Sequence, residues 1–110
     1  MLSPQDCSNM ADIRTEIDRI DREVIELLGY RFQYVKAAAP FKTSQTDVKA
    51  PERFVSMLKQ RRQWADEVGL NADVIESLYR DLVTHFIQEE MKRWESNPSQ
   101  LNSPAGELRQ

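Results

Sequence analysis

Apolar residues recur at three- and four-residue steps along three long stretches of the chain, and no stretch alternates apolar and polar residues in the manner of a strand. That step matches the 3.6-residue turn of an amphipathic helix, so the pattern predicts an all-α protein. In the first stretch Ile13, Ile17, Ile20, Val24, Leu27, Tyr34 and Ala38 continue one stripe. They predict a helix over about 12–39, stopped by Pro40. The second helix, 51–68, opens at Pro51, carries Phe54, Met57, Leu58, Ala65 and Val68 on its inner face, and ends before Gly69, which suits a left-handed terminator. The third, 71–94, follows a capping Asn71 and has a broad apolar face of Ile75, Leu78, Tyr79, Leu82, Val83, Phe86, Ile87, Met91 and Trp94.

The segment between the first two helices, "PFKTSQTDVKA" at 40–50, has no stripe and reads as a loop long enough to move. Residues 1–95 are expected to form a single domain. The polar, proline-containing stretch at 96–110 reads as a disordered tail. A first helix of about 28 residues is a rod of roughly 40 Å, longer than a compact globule of this size encloses. A second copy of the chain is the economical cover for its stripe, which predicts a homodimer.

One position breaks the apolar pattern. Arg31 falls in the first stripe, between Leu27 and Tyr34. An unpaired guanidinium is expensive to bury, so Arg31 needs either an anionic partner within the fold, with Glu90 on the third apolar face a candidate, or an anionic ligand. Lys42 in the mobile loop and Arg14 near the start of the first helix are further cations that could help to hold a small dianion. Arginine offers a rigid fork for a carboxylate, whereas lysine offers a point charge on a flexible stem, as a closing lid requires. Arg14 lies roughly 25 Å from Arg31 along one helix, so only a partner chain's Arg14 could join it. Lys59, Arg61 and Arg62 read as a solvated face, and Met57 and the aromatic residues as core.

Composition narrows the function classes. The 110 residues carry a formal charge of -3, which argues against nucleic acid as the main partner. Cys7 is the one cysteine and His85 the one histidine, so neither a disulfide nor a metal site is expected. The absence of a signal-peptide pattern and of a long apolar run leads to an expectation of a cytoplasmic protein with no membrane partner.

The motifs "PQDC", "ADIRTEIDRID", "GYRFQYVKAAAPFK", "APERFVSMLKQRRQWADEVGL" and "FIQEEMKRW" are spread along 4–94. In these the chain resembles the all-helical (AroQ-type) chorismate mutase fold, and most closely its isochorismate-pyruvate lyase branch. The "DIRxxIDxID" pattern is shared with the mutases. Lys42, eleven residues after Arg31, and the "APER" to "WADEVGL" block look specific to the lyases.

The resemblance implies an intertwined homodimer of the chorismate mutase type II fold, with two identical sites. Arg14 from one chain and Arg31 from the other would bind the two substrate carboxylates. Lys42 would close over the ligand and stabilise charge at the breaking ether oxygen, beside Glu90. Val35, Ala38, Met57 and Ile87 would supply apolar walls. The implied reaction turns isochorismate into salicylate and pyruvate without a cofactor, moving a ring hydrogen to the enolpyruvyl methylene as the C–O bond breaks. A weak mutase side activity is also implied.

Two departures from the family pattern bear on this reading. Mutases of this fold usually have an arginine immediately before a glutamate at the start of the second helix, whereas Pro51 precedes Glu52 here. Glu90 stands where the resembled lyase has glutamine. Glutamate can donate to the ether oxygen only when protonated. Glu90 is therefore either an acid of the reaction or an ionised neutraliser of Arg31 in the empty site. The alternatives to a lyase are a dedicated mutase making prephenate and a non-catalytic helical dimer that binds neither substrate.

Overall fold

The computed structural model describes residues 1–96, and the predicted tail lies, from 97 onward, outside the described residues. Four helices follow in chain order: α1 (Met10–Ala38), α2 (Gln45–Lys49), α3 (Pro51–Glu67) and α4 (Ala72–Ser96). Short 3₁₀ turns lie at Pro4–Asp6 and Ala39–Phe41, and no strand occurs among the described residues. The all-α expectation and the three long helices are thereby observed, each within a few residues of its predicted bounds. The chain divides into two compact units, Met1–Phe41 and a second beginning at Lys42.

The first unit is α1 with its lead-in and its terminal turn. Asn9 caps the helix, its side chain accepting from the Asp12 N–H at 2.9 Å, while the Asp12 carboxylate accepts from the Ser8 N–H at 3.1 Å. This reciprocal cap satisfies donors that a helix start leaves free, and starts α1 two residues before Asp12. At the other end the backbone tightens into the Ala39–Phe41 turn, because Pro40 has no N–H to continue the ladder. Along the outside, Arg19 bonds to Glu16 at 3.0 Å and to Glu23 at 2.6 Å.

A lone helix has no second element of its own against which to bury an apolar stripe. No residue of α1 is buried. Ile17, Ile20 and Val24 are about half exposed, and Leu27 and Tyr34 more so.

In the second unit α3 packs on α4, and the short α2 also packs on α4. The buried apolar residues are Val48 from α2 and Met57, Leu58 and Ala65 from α3. Gly69 takes φ +80 after α3, and the Leu70 N–H returns to the Ala65 carbonyl at 2.8 Å, so the left-handed terminator forms as predicted. Asn71 then caps α4 by accepting from the Val74 N–H at 3.1 Å. Val68, expected on the inner face of α3, is exposed where the helix ends, and Leu78 on α4 is half exposed.

Two expected surface cations have structural roles instead. Arg62 reaches from α3 to Asp73 at 2.7 Å and Glu76 at 2.8 Å on α4, and Arg80 completes the cluster on Glu76 at 2.6 Å. The Arg61 guanidinium lies over the rings of Trp64 and Tyr79, at 4.7 Å and 5.6 Å from their centroids. Both arginines are half-buried, because their long stems cover apolar surface while their planar heads find carboxylates or ring faces. Lys59 is exposed, as predicted.

The 40–50 segment also differs from expectation. It holds α2, not an unstructured loop. Ser44 caps this helix by accepting from the Asp47 N–H at 3.1 Å, and Val48, 2% exposed, anchors it in the core. Ala50 closes it in the left-handed conformation at φ 41, its N–H bonded to the Thr46 carbonyl at 2.7 Å, and Pro51 starts α3.

Candidate active site

Four of the predicted site residues lie in the first unit, all on α1. Arg31, Val35 and Ala38 are spaced four and three residues apart, which puts them on one face, and all three are half-buried. Arg14 is exposed near the start of the same helix. The 17 positions between Arg14 and Arg31 correspond to roughly 25 Å along a helix, too far for both to hold one small molecule from a single α1. Glu90, the internal partner considered for Arg31, is paired with Lys42.

The other four predicted residues, Lys42, Met57, Ile87 and Glu90, belong to the second unit. Lys42 Nζ donates to both carboxylate oxygens of Glu90, at 3.0 and 2.8 Å. The Lys42 side chain is 22% exposed and that of Glu90 is 9% exposed, so water screens this pair less than it screens the surface pairs on α1 and α4. Ile87 lies one turn before Glu90 on the same face of α4 and is half-buried, and Met57 on α3 is 3% exposed.

The chemistry follows from the donors and acceptors. Glu90 has both oxygens on one ammonium, and an ammonium has three donors, so at least one N–H of Lys42 remains for a ligand. A flexible four-carbon stem lets that charge follow an oxygen on which negative charge develops.

The residues that follow Lys42 carry no signal in the hydrophobic pattern and are held by their own hydrogen bonds. The Asp47 carboxylate accepts from both the Thr43 N–H and the Thr43 hydroxyl, each at 2.9 Å. Those bonds, the backbone one first, hold the Asp47 carboxyl below the usual carboxylate range, against a smaller opposing effect of desolvation. The signal was present as "SQTD" at 44–47, a serine followed three residues later by an acid, which marks a helix start. It was hidden because α2 is too short to show periodicity. Among the described residues no group of three or more His, Cys, Asp or Glu side chains is placed to hold a metal ion.

Comparison with known proteins places these residues in context. The sequence model of the family described as chorismate mutase type II matches residues 13–91. The chain is 46% identical over 94 residues to the isochorismate pyruvate lyase of Pseudomonas aeruginosa, a match covering 86% of this chain and 93% of that protein. It is 39% identical over 81 residues to the T-protein of Haemophilus influenzae and 31% identical over 74 residues to that of Enterobacter agglomerans, and covers 20% of each.

Proposed function

The chain belongs to the chorismate mutase type II family, and from that premise we propose that it is an isochorismate-pyruvate lyase releasing salicylate and pyruvate. The observation that carries the choice within the family is the 46% identity to a lyase across 93% of that protein's length. Pro51, where mutases of the fold usually place an arginine, supports the same choice.

The reaction is a unimolecular elimination. The ether C–O bond breaks, its electron pair becomes the pyruvate carbonyl, and the ring hydrogen moves to the enolpyruvyl methylene as the ring becomes aromatic. Atoms and electrons balance with no nucleophile, oxidant or cofactor. The protein's part is to hold a folded conformer and to set positive charge where the ether oxygen gains electron density. In this reading Lys42 supplies that charge, Arg31 binds one carboxylate, Glu90 orients Lys42 and faces the ether oxygen, and Val35, Ala38, Met57 and Ile87 enclose the ring and side arm.

The second carboxylate falls to Arg14 of a partner chain, in a homodimer whose interface covers the α1 stripe. The uncovered Ile17, Ile20, Val24 and Leu27 and the Arg14–Arg31 separation support this reading. The enzyme works on a free small molecule in the cytoplasm, where Cys7 stays reduced. No described helix is long and apolar enough to cross a membrane. Incubating the chain with isochorismate and reading salicylate fluorescence together with pyruvate tests the proposal. Prephenate from chorismate as the dominant product would favour the mutase instead.

A further inference from the structure

Lys42 has a side chain with four rotatable bonds, yet its ammonium sits in one place, bonded to both oxygens of Glu90. Glu90 fixes the tip of that side chain. Its base is fixed by the next peptide group. The amide joining residues 42 and 43 is planar, so the direction of the Thr43 N–H sets the ψ angle of Lys42 and with it the direction in which the Lys42 backbone approaches α2. That N–H points at the Asp47 carboxylate, 2.9 Å away, and the Thr43 hydroxyl donates to the same oxygen at 2.9 Å.

Asp47 is itself well placed to hold a direction. Its own N–H is bonded to Ser44 at 3.1 Å, and the next residue, Val48, is buried at 2% exposure. The Ala50 N–H bonds to the Thr46 carbonyl at 2.7 Å and closes the far end of the turn. The Thr43 peptide is thus tied, through one carboxylate, to a helical turn anchored in the core.

We propose that Asp47 is a positioning residue for Lys42, clamping the Thr43 peptide so that the ammonium stands ready where charge develops during the elimination. The proposal rests on the role given to Lys42 above. The clamp acts on orientation and not on global stability, because Asp47 and Thr43 are exposed and outside the core. Losing it frees the 42–43 peptide to rotate and spreads the ammonium over several positions, of which one is productive.

The test combines steady-state kinetics on isochorismate with thermal unfolding, in the full chain carrying Asp47→Ala, Asp47→Asn, Lys42→Ala and Asp47→Ala with Lys42→Ala. Asp47→Ala is expected to lower kcat about five-fold, the size of a lost helix-cap interaction, with little change in KM or in melting temperature. Asp47→Asn, whose amide oxygen still accepts from Thr43, is expected to recover most of that loss. On the Lys42→Ala background the Asp47 substitution is expected to do nothing further, since there is no ammonium left to place. Unchanged kcat in Asp47→Ala alongside an impaired Lys42→Ala would overturn the clamp, as would an equal loss on both backgrounds. Natural turnover in Lys42→Ala overturns the functional role of the lysine itself, and the clamp with it.

Discussion

Lys42 Nζ lies 3.0 and 2.8 Å from the two carboxylate oxygens of Glu90, a residue 48 positions later in the chain. The pair joins the segment after α1 to the last helix. It gathers an ammonium and a carboxylate where the sequence puts an acid on the apolar face of α4.

In the proposed reaction the Lys42 ammonium is the donor to the ether oxygen. Lys42→Ala is expected to lower turnover of isochorismate by about 100- to 1000-fold, the usual effect of deleting one electrostatic donor, with the fold intact by circular dichroism. Lys42→Arg is also expected to be poor, since a planar fork cannot replace a point charge seated on Glu90.

Glu90→Gln separates an acid from a spectator. Glutamine donates a hydrogen bond at any pH, whereas a carboxyl donates only while protonated. Glu90→Gln, which keeps one acceptor for Lys42 and adds a donor, is expected to turn over isochorismate faster than the natural chain when both are compared at one neutral pH. Equal turnover would leave Glu90 as an ionic partner of Lys42 and no more.

Much of this arrangement was legible in the sequence, for physical reasons that differ by element. The long helices announce themselves by their period, and Asn71, Gly69 and Pro51 mark ends that the structure places within a residue or two. Glu90 drew notice as an acid among Phe86, Ile87 and Trp94. Its partner was harder to read, because a long-range ion pair leaves no periodic trace: the sequence pointed to Arg31, and the structure pairs Glu90 with Lys42. Helix α2 was invisible, since its five residues make little more than one turn. Arg61 and Arg62 misled because an arginine on a polar-looking face can still cover apolar surface with its stem.

Acid should loosen the contacts that tie α3 to α4. Hydrogen bonds from Arg80 and then Arg62 lower the pKa of Glu76. A carboxylate with a lower pKa folded than unfolded adds stability that is full above the unfolded value and is lost as pH falls through the folded value. The melting temperature is therefore expected to decline from about pH 5 downward, and less steeply in Glu76→Gln, which starts lower at neutral pH. Parallel curves for the two proteins would remove Glu76 from the account.

Subunit mixing tests where the second arginine comes from. In the proposed homodimer, Arg14→Ala and Arg31→Ala are each expected to be nearly inactive. After complete exchange half the dimers are mixed, and one site in each regains both arginines, so activity is expected to recover to about a quarter of the natural level. No recovery, with exchange verified by native mass spectrometry, would overturn the shared site.

The reaction is read directly by product analysis with each of the two substrates in turn. Purified protein given isochorismate is expected to form salicylate and pyruvate in equal amounts without added cofactor. With chorismate it is expected to form prephenate far more slowly. Fast prephenate formation with no salicylate from isochorismate would contradict the lyase assignment and make the chain a mutase.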